Sequence, residues 1–245
     1  MSRPLSLRAV EGLPEITPGD DLGALLAATA DTRPGDVLVV AHKVVSKAEG
    51  RLVALADVAP SARARELAEP WGKDPRQVEV VLRESAEVVR AERGVLISRT
   101  RHGFVCANAG VDASNAGAPD VLVLLPLDPD ASARRLRAAL PGRPAVVVSD
   151  SFGRAWRHGQ VDVAIGLAGL TPLEDWRGRE DADGRPMRAT WLAVADAVAA
   201  AAELVRVKDA ATPAVVLSGL ERFVSEEDGP GAGALLRTRD EDLFA

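Results

Sequence analysis

The sequence predicts an α+β fold, with mixed, partly antiparallel sheets and helices packed on them. Three observations carry that expectation. Short β-branched runs recur along the chain, helical patterns with start signals lie between them, and one pair of runs is close enough to fold back as a hairpin. The hairpin argues against a purely doubly wound sheet, because parallel neighbours need a long crossover.

The expected strands are residues 36–40, 94–98, 104–107, 121–125, 145–148 and 214–217, apolar runs bounded by Gly, Pro and Asp. Two of them flank RTRHG within 94–110 and form the hairpin. For the helices, Asp74-Pro75 precedes Val78, Val81, Leu82 and Val88, and Asp128-Pro129 precedes Ala133, Leu136 and Leu140. Each aspartate is placed to cap a helix with proline in its first turn, a cap worth about 1 kcal/mol. A further helix, 189–207, is alanine-rich, which suits close packing against a sheet or another helix. Residues 1–224 read as one domain, and 225–245 as a polar, glycine-rich connection, SEEDGPGAG, with a short tail.

At 245 residues and 47% hydrophobic content, the chain can bury a full core. Its 30 Lys and Arg against 36 Asp and Glu give a net charge of −6, so neither nucleic acid nor an anionic membrane is an expected partner. A lone Cys106 makes no internal disulfide, and three histidines leave no room for a Cys/His zinc cluster. The N-terminus lacks the apolar core of a signal peptide, and Asp196 and Glu203 interrupt the longest Ala/Val stretch. A cytoplasmic protein is expected.

The run AVVVSDSFGRAWRHGQVD, 145–162, carries the sharpest chemical signal. A buried strand ends there on Asp150 and Ser151, at the strand end where open α/β sheets present side chains to ligands. A carboxylate beside a hydroxyl offers hard oxygen donors, suited to Mg²⁺ or Mn²⁺ bridging to phosphate rather than to zinc. The competing reading is that Asp150 only caps or turns the chain. AGVDASN, 109–115, sets Asp112 and Asn115 in a loop that faces Asp150 in one reading and is an ordinary Asx turn in the other. AHKVVSKAEGR, 41–51, holds Lys43, Lys47 and Arg51, which either meet phosphate or line a solvated helix face. Val44 and Val45 between them argue for partial burial, and hence for charge partners.

No Walker A, dinucleotide-glycine, zinc-protease or serine-hydrolase pattern is present, so any nucleotide cradle is of another kind. GPGAG, 229–233, reads as a linker. His158 and Asp162 lie four apart, a helical pairing that Gly159 disfavours. His42 and His102 read as structural or exposed, Trp156 as core or a stacking platform, and Cys106 as a small hydrophobe.

In order along the chain, GLPEI at 12–16, KVVSKAEGR at 43–51, AGVDASN at 109–115, SDSFGRAWRHGQVDVAIG at 149–166 and LVRVKDAATPAVV at 204–216 resemble one family. It is the coenzyme F420-0:L-glutamate ligase family, which includes the N-terminal half of two-domain bacterial F420 ligases. The match covers about residues 8–220. The resemblance implies an F420-ligase-like fold, catalytic over 1–224, that uses GTP and Mg²⁺ or Mn²⁺ to add L-glutamate to the deazaflavin precursor F420-0. It further implies an acyl-phosphate intermediate and release of GDP and phosphate. By the same resemblance, Leu13, Pro14, Glu15, Ile16, His42, Lys47, Asn115 and Lys208 meet the nucleotide. Asp112, Asp150 and Ser151 hold the metal, Asp150 and Lys47 are catalytic, and Arg154 and Arg157 serve the anionic tail of the precursor or the glutamate. GTP, L-glutamate and F420-0 are then the expected partners, and a homodimer the expected assembly.

Overall fold

The computed structural model describes residues 4–206 and 211–242. In chain order the first half contains β1 (Ser6–Ala9), α1 (Leu22–Thr29), β2 (Val37–Ala41), α2 (His42–Ala48), β3 (Leu52–Ala54), α3 (Ala62–Ala68), α4 (Pro75–Glu84), β4 (Ser85–Glu92), β5 (Val95–Thr100) and β6 (Val105–Ala107). The second half adds β7 (Val121–Val123), α5 (Pro129–Ala139), β8 (Ala145–Arg154), β9 (Arg157–Ala168), β10 (Leu173–Asp175), β11 (Trp191–Ala193), α6 (Val194–Glu203) and β12 (Ala214–Ser218).

The valine-rich runs form the centre of a five-stranded sheet of order β1-β12-β2-β8-β9, in which only β2 and β8 are parallel. Side chains of a strand alternate between faces, so one continuous apolar run supplies two cores. Leu38, Val40, Val146, Val148 and Val216 pack with Leu22 and Leu26 of α1, Val45 of α2 and Leu136 of α5. Val37, Val39, Val147, Val215 and Leu217 face Val194, Ala195, Val198, Ala199 and Ala202 of α6. A smaller body stands beside this sheet, where β4-β5-β6 packs with α3 and α4 through Ala64, Ala68, Val78, Val81 and Leu96. Its β6 lies against β8. The mixture of parallel and antiparallel pairs is the α+β arrangement expected from sequence.

Both proline-led helices carry their caps: Asp74 Oδ1 accepts from Arg76 N at 2.8 Å, and Asp128 Oδ1 from Ala131 N at 2.8 Å. The first of them stops sooner than its apolar spacing suggests. Ser85 turns extended, its hydroxyl donating back to Val81 O at 2.7 Å, and Val88 belongs to β4. The strand expected to end on Asp150 and Ser151 instead continues into a hairpin. β8 runs on to Arg154, turns at Ala155 and Trp156, the latter at φ +58, and returns as β9. The alanine-rich helix is shorter than 189–207, because Trp191–Ala193 pairs with β10; Val207 lies outside the described residues.

Residues 225–242 are seated on the body. Arg137 of α5 is 2% exposed and donates to the Ser225 carbonyl, to Glu226 O at 3.1 Å and to Asp228 Oδ1 at 2.6 Å. Ala232 is buried, and Gly231 is needed where it stands: at φ +81, a Cβ there would lie 2.3 Å from Asp130 Oδ2. Among the described residues no helix is long and apolar enough to cross a membrane.

Candidate active site

Because β2 and β8 are parallel, with Ala41 opposite Ser149, both strands release their next side chains at one edge of the sheet. β2 passes directly into α2, which places His42 and Lys43 at that edge. The start of β12 and the end of β1 arrive there as well: Ala41 N–H donates to Pro213 O and Val10 N–H to Ala214 O, each at 2.8 Å. Segment 11–16 continues from β1, with Ile16 buried in the core, Leu13 packed partly against it, and Pro14 and Glu15 exposed.

Three contacts between basic and acidic side chains occupy the edge. Lys47, only 6% exposed, points its Nζ at Glu15 Oε1, 2.5 Å away. Lys43 Nζ lies 2.6 Å from Asp112 Oδ2 and 2.5 Å from Ser114 Oγ. His42 is buried with Nε2 3.3 Å from Asp150 Oδ1, but off the line of a hydrogen bond, so this nitrogen has no bonded partner; Nδ1 faces Ser46 Oγ at 3.3 Å. Asp112 and Asp150, far apart in the chain, therefore lie against consecutive residues of one helix. The loop after Asp112 also closes on Glu15, since a Cβ on Gly117 would sit 3.7 Å from Glu15 Oε1.

The electrostatics follow from these contacts. Burial pushes the Asp112 carboxyl up, but the Lys43 ammonium and the Ser114 N–H and hydroxyl outweigh it and hold the group below the ordinary carboxylate range. The Ser114 N–H bond to Asp112 Oδ1, 2.7 Å, is also an Asx turn, so the turn and the charge cluster are one feature. Cys106 lies near Asp150; burial first, and then the Asp150 charge, push its thiol up to about 12. It stays protonated at neutral pH and is no nucleophile.

Asp150 and Ser151 leave the strand on opposite faces, as consecutive strand residues do. Asp150 turns to His42, while the Ser151 hydroxyl donates to Asp162 Oδ1 at 2.6 Å, near Arg206 at the end of α6. Asn115 lies exposed just beyond Ser114 with a left-handed backbone, φ +55. Lys208 lies outside the described residues. Arg154 folds back over its own hairpin, donating to His158 O at 2.5 Å, and Arg157 is exposed. A cavity of about 190 Å³ opens beside Asp112, lined by Lys73, Gln77, Asn108 and Leu122 among others. A second, of about 210 Å³, lies between α1, α2 and α5, where Glu49, Ser132 and Arg135 of its lining already bond one another.

The donor set suits a hard divalent cation. Two partly buried carboxylates are present, and an orphaned imidazole nitrogen stands beside one of them. Among the described residues no three His, Cys, Asp or Glu side chains close a complete cage, so remaining positions would fall to phosphate oxygens and water, as is usual for Mg²⁺.

Asp162, Ser149, Ser114 and Arg206 join this neighbourhood without having been singled out by the motifs for roles of their own. The hairpin register sets Ser151 opposite Asp162, a pairing that the local sequence does not mark.

Fold and site together define a class: an α+β protein whose lysines and carboxylates, gathered at one sheet edge, suit a polyanion bound with a hard cation. The family model described as F420-0:Gamma-glutamyl ligase matches residues 12–219. A protein of Methanopyrus kandleri named coenzyme F420:L-glutamate ligase is 47% identical over 236 residues, covering 94% of this chain and 93% of that protein. Proteins of the same name from Methanothermobacter thermautotrophicus and Natronomonas pharaonis are 44% and 48% identical, over 98% and 96% of this chain and 98% and 92% of theirs. The chain belongs to the F420-0:gamma-glutamyl ligase family and is an amide-forming ligase.

Proposed function

We propose that the protein joins L-glutamate to the terminal carboxylate of coenzyme F420-0, using GTP and releasing GDP and phosphate. The observation that carries this reading is the meeting of Lys43, Lys47, Asp112 and Asp150 at one sheet edge. The names of the relatives support the substrate pair. A free carboxylate is a poor electrophile, so the γ-phosphoryl group of GTP passes first to the acceptor oxygen, giving an acyl phosphate and GDP. The glutamate amine then attacks the carbonyl carbon, phosphate leaves, and the amine loses a proton as the amide forms.

Such a reaction rests on positioning and on neutralising phosphate charge. Asp112 and Asp150 would hold Mg²⁺ or Mn²⁺, whose charge offsets that of the phosphates. Since the strand sends Asp150 and Ser151 to opposite faces, with the Ser151 hydroxyl donating to Asp162, the two side chains would not chelate one cation together. Lys47 exchanges Glu15 for a phosphate oxygen. Leu13, Pro14, Ile16, His42 and Asn115 border the nucleotide, and Arg154 and Arg157 take the anionic tail of the precursor or the incoming glutamate. We put no homodimer contact on the alanine face of α6, because Ala195, Ala199 and Ala202 are buried in the chain's own core.

The test is incubation with GTP, Mn²⁺ and L-glutamate, with and without F420-0, followed by mass spectrometry. The expected result is a gain of glutamyl units on the deazaflavin with matching GDP release, both lost in a folded Asp150→Ala variant. Glutamyl transfer that ignores the deazaflavin would indicate an amide ligase for another acid, and GTP binding without any turnover a nucleotide-sensing module.

A further inference from the structure

The residues flanking Asp150 share one partner. Ser149 Oγ donates to Asp162 Oδ2 at 2.8 Å, and Ser151 Oγ donates to Asp162 Oδ1 at 2.6 Å. Asp162 is fully buried, and its Oδ2 also receives the Arg206 guanidinium, which donates to Ser149 Oγ at 3.2 Å too. The Asp162 N–H donates to Glu203 Oε2 at 3.0 Å. One carboxylate therefore ties β8, β9 and the end of α6 together directly beneath Asp150.

We propose that Asp162 is a positioning residue, which fixes the direction of Asp150 toward its cation by clamping the hydroxyls on either side of it. The proposal rests on the reading of Asp150 as a divalent-cation ligand. The need for a clamp is local. The β8–β9 register shifts between Val148 and Ser149, and an irregularity of this kind loosens the ladder and lets a strand re-aim its side chains. With Ser149 and Ser151 both pinned to the α6 face, the residue between them can only project to the α2 face, where His42 stands. A carboxyl group is suited to this work because its two oxygens take several donors at once. An amide there would set an NH₂ group against a hydroxyl or the guanidinium. A buried ion pair is weak evidence for stability in itself, since desolvation offsets its attraction, so a gain in geometric specification is a reason to keep it.

The experiment is Mn²⁺ titration of the full chain, followed by the electron paramagnetic resonance of free Mn²⁺, with circular dichroism and thermal unfolding on each variant. Wild type is expected to bind and Asp150→Asn to lose binding. Asp162→Asn is expected to stay folded and to bind about 10–100-fold more weakly, the usual cost of losing a partner that orients a ligand. Ser149→Ala, which leaves the Asp162–Arg206 pair in place, is expected to weaken binding several-fold, and it carries the test if Asp162→Asn fails to fold. A folded Asp162→Asn, or in its stead Ser149→Ala, with Mn²⁺ affinity within twofold of wild type would reduce Asp162 to a structural clamp and overturn the proposal. A wild type that takes up no Mn²⁺, or an Asp150→Asn variant that binds like wild type, would remove the cation reading beneath it, a failure visible without any Asp162 variant.

Discussion

Lys47 and Glu15 form an asymmetric pair, and the asymmetry is testable. The lysine side chain is 7% exposed and the glutamate side chain 70%. Replacing Lys47 by Met keeps the apolar stem, removes a buried charge and leaves Glu15 free to be solvated. Stability is expected to change by less than about 1 kcal/mol, while GTP turnover falls by about 10²–10³-fold as phosphate stabilisation is lost. Glu15→Ala is the costlier change for the fold, because it strands an ammonium out of water, at roughly 1–3 kcal/mol. Thermal unfolding of the two variants side by side checks the order; a Lys47→Met less stable than Glu15→Ala would contradict it. The reason is legible only in part from sequence. Val44 and Val45 announce that the neighbouring lysines need partners, but that Glu15 is the partner depends on where segment 11–16 leaves the sheet.

At the scale of an element, α6 shows how burial can oppose a helix's own field. Asp196 stands in the first turn, where the helix dipole favours a carboxylate, and accepts from Ala164 N at 2.9 Å. Burial nevertheless pushes its carboxyl up, with the Ala164 bond only partly offsetting this. A carboxyl raised in the folded state contributes stability that is full below the unfolded value, about 3.9, and is lost as pH rises through the folded one. At neutral pH the ionised side chain is therefore a net cost. Asp196→Asn keeps an acceptor oxygen for Ala164 and is expected to raise Tm at pH 7, each kcal/mol gained being worth about 2–4 °C. The gain should vanish below about pH 4, where both states are protonated. Melting curves across that range check it, and an equal shift at both ends would mean that charge is not the cause. Asp112 has the opposite sign, since its lowered carboxyl yields stability that is lost as pH falls through the folded value.

Across the whole molecule, what the sequence discloses follows what its residues touch. Val37–Ala41 and Ala214–Ser218 are buried over nearly all their length and read as strands, and Asp74 and Asp128 announce their helices. β4 and the first half of β9 are mostly exposed, so pairing with a neighbour, which leaves no mark in local composition, is what makes them strands. Asp112 and Asp150 stand out in the sequence as chemical residues, whereas local spacing sets Asp162 against His158, because sheet register is not a local property. The same limit applies to the C-terminal segment, whose glycines and acids resemble a linker until Arg137 is seen buried against it. The described partners of that guanidinium, Ser225, Glu226 and Asp228, all lie beyond residue 224, and Ala232, Leu235 and Leu236 cover apolar surface of the two main cores. Removing residues 225–245 would thus strand a charge in the interior, a loss of about 3–5 kcal/mol, a large share of the 5–15 kcal/mol typical of a folded domain. The truncated chain is expected to melt well below the full one. Arg137→Met should recover part of the loss in the truncated chain while destabilising the full chain, so that the two changes are strongly non-additive. Thermal unfolding of the four proteins gives the coupling directly, and a truncated chain that melts like the full one would make residues 225–245 the dispensable tail that their composition suggests.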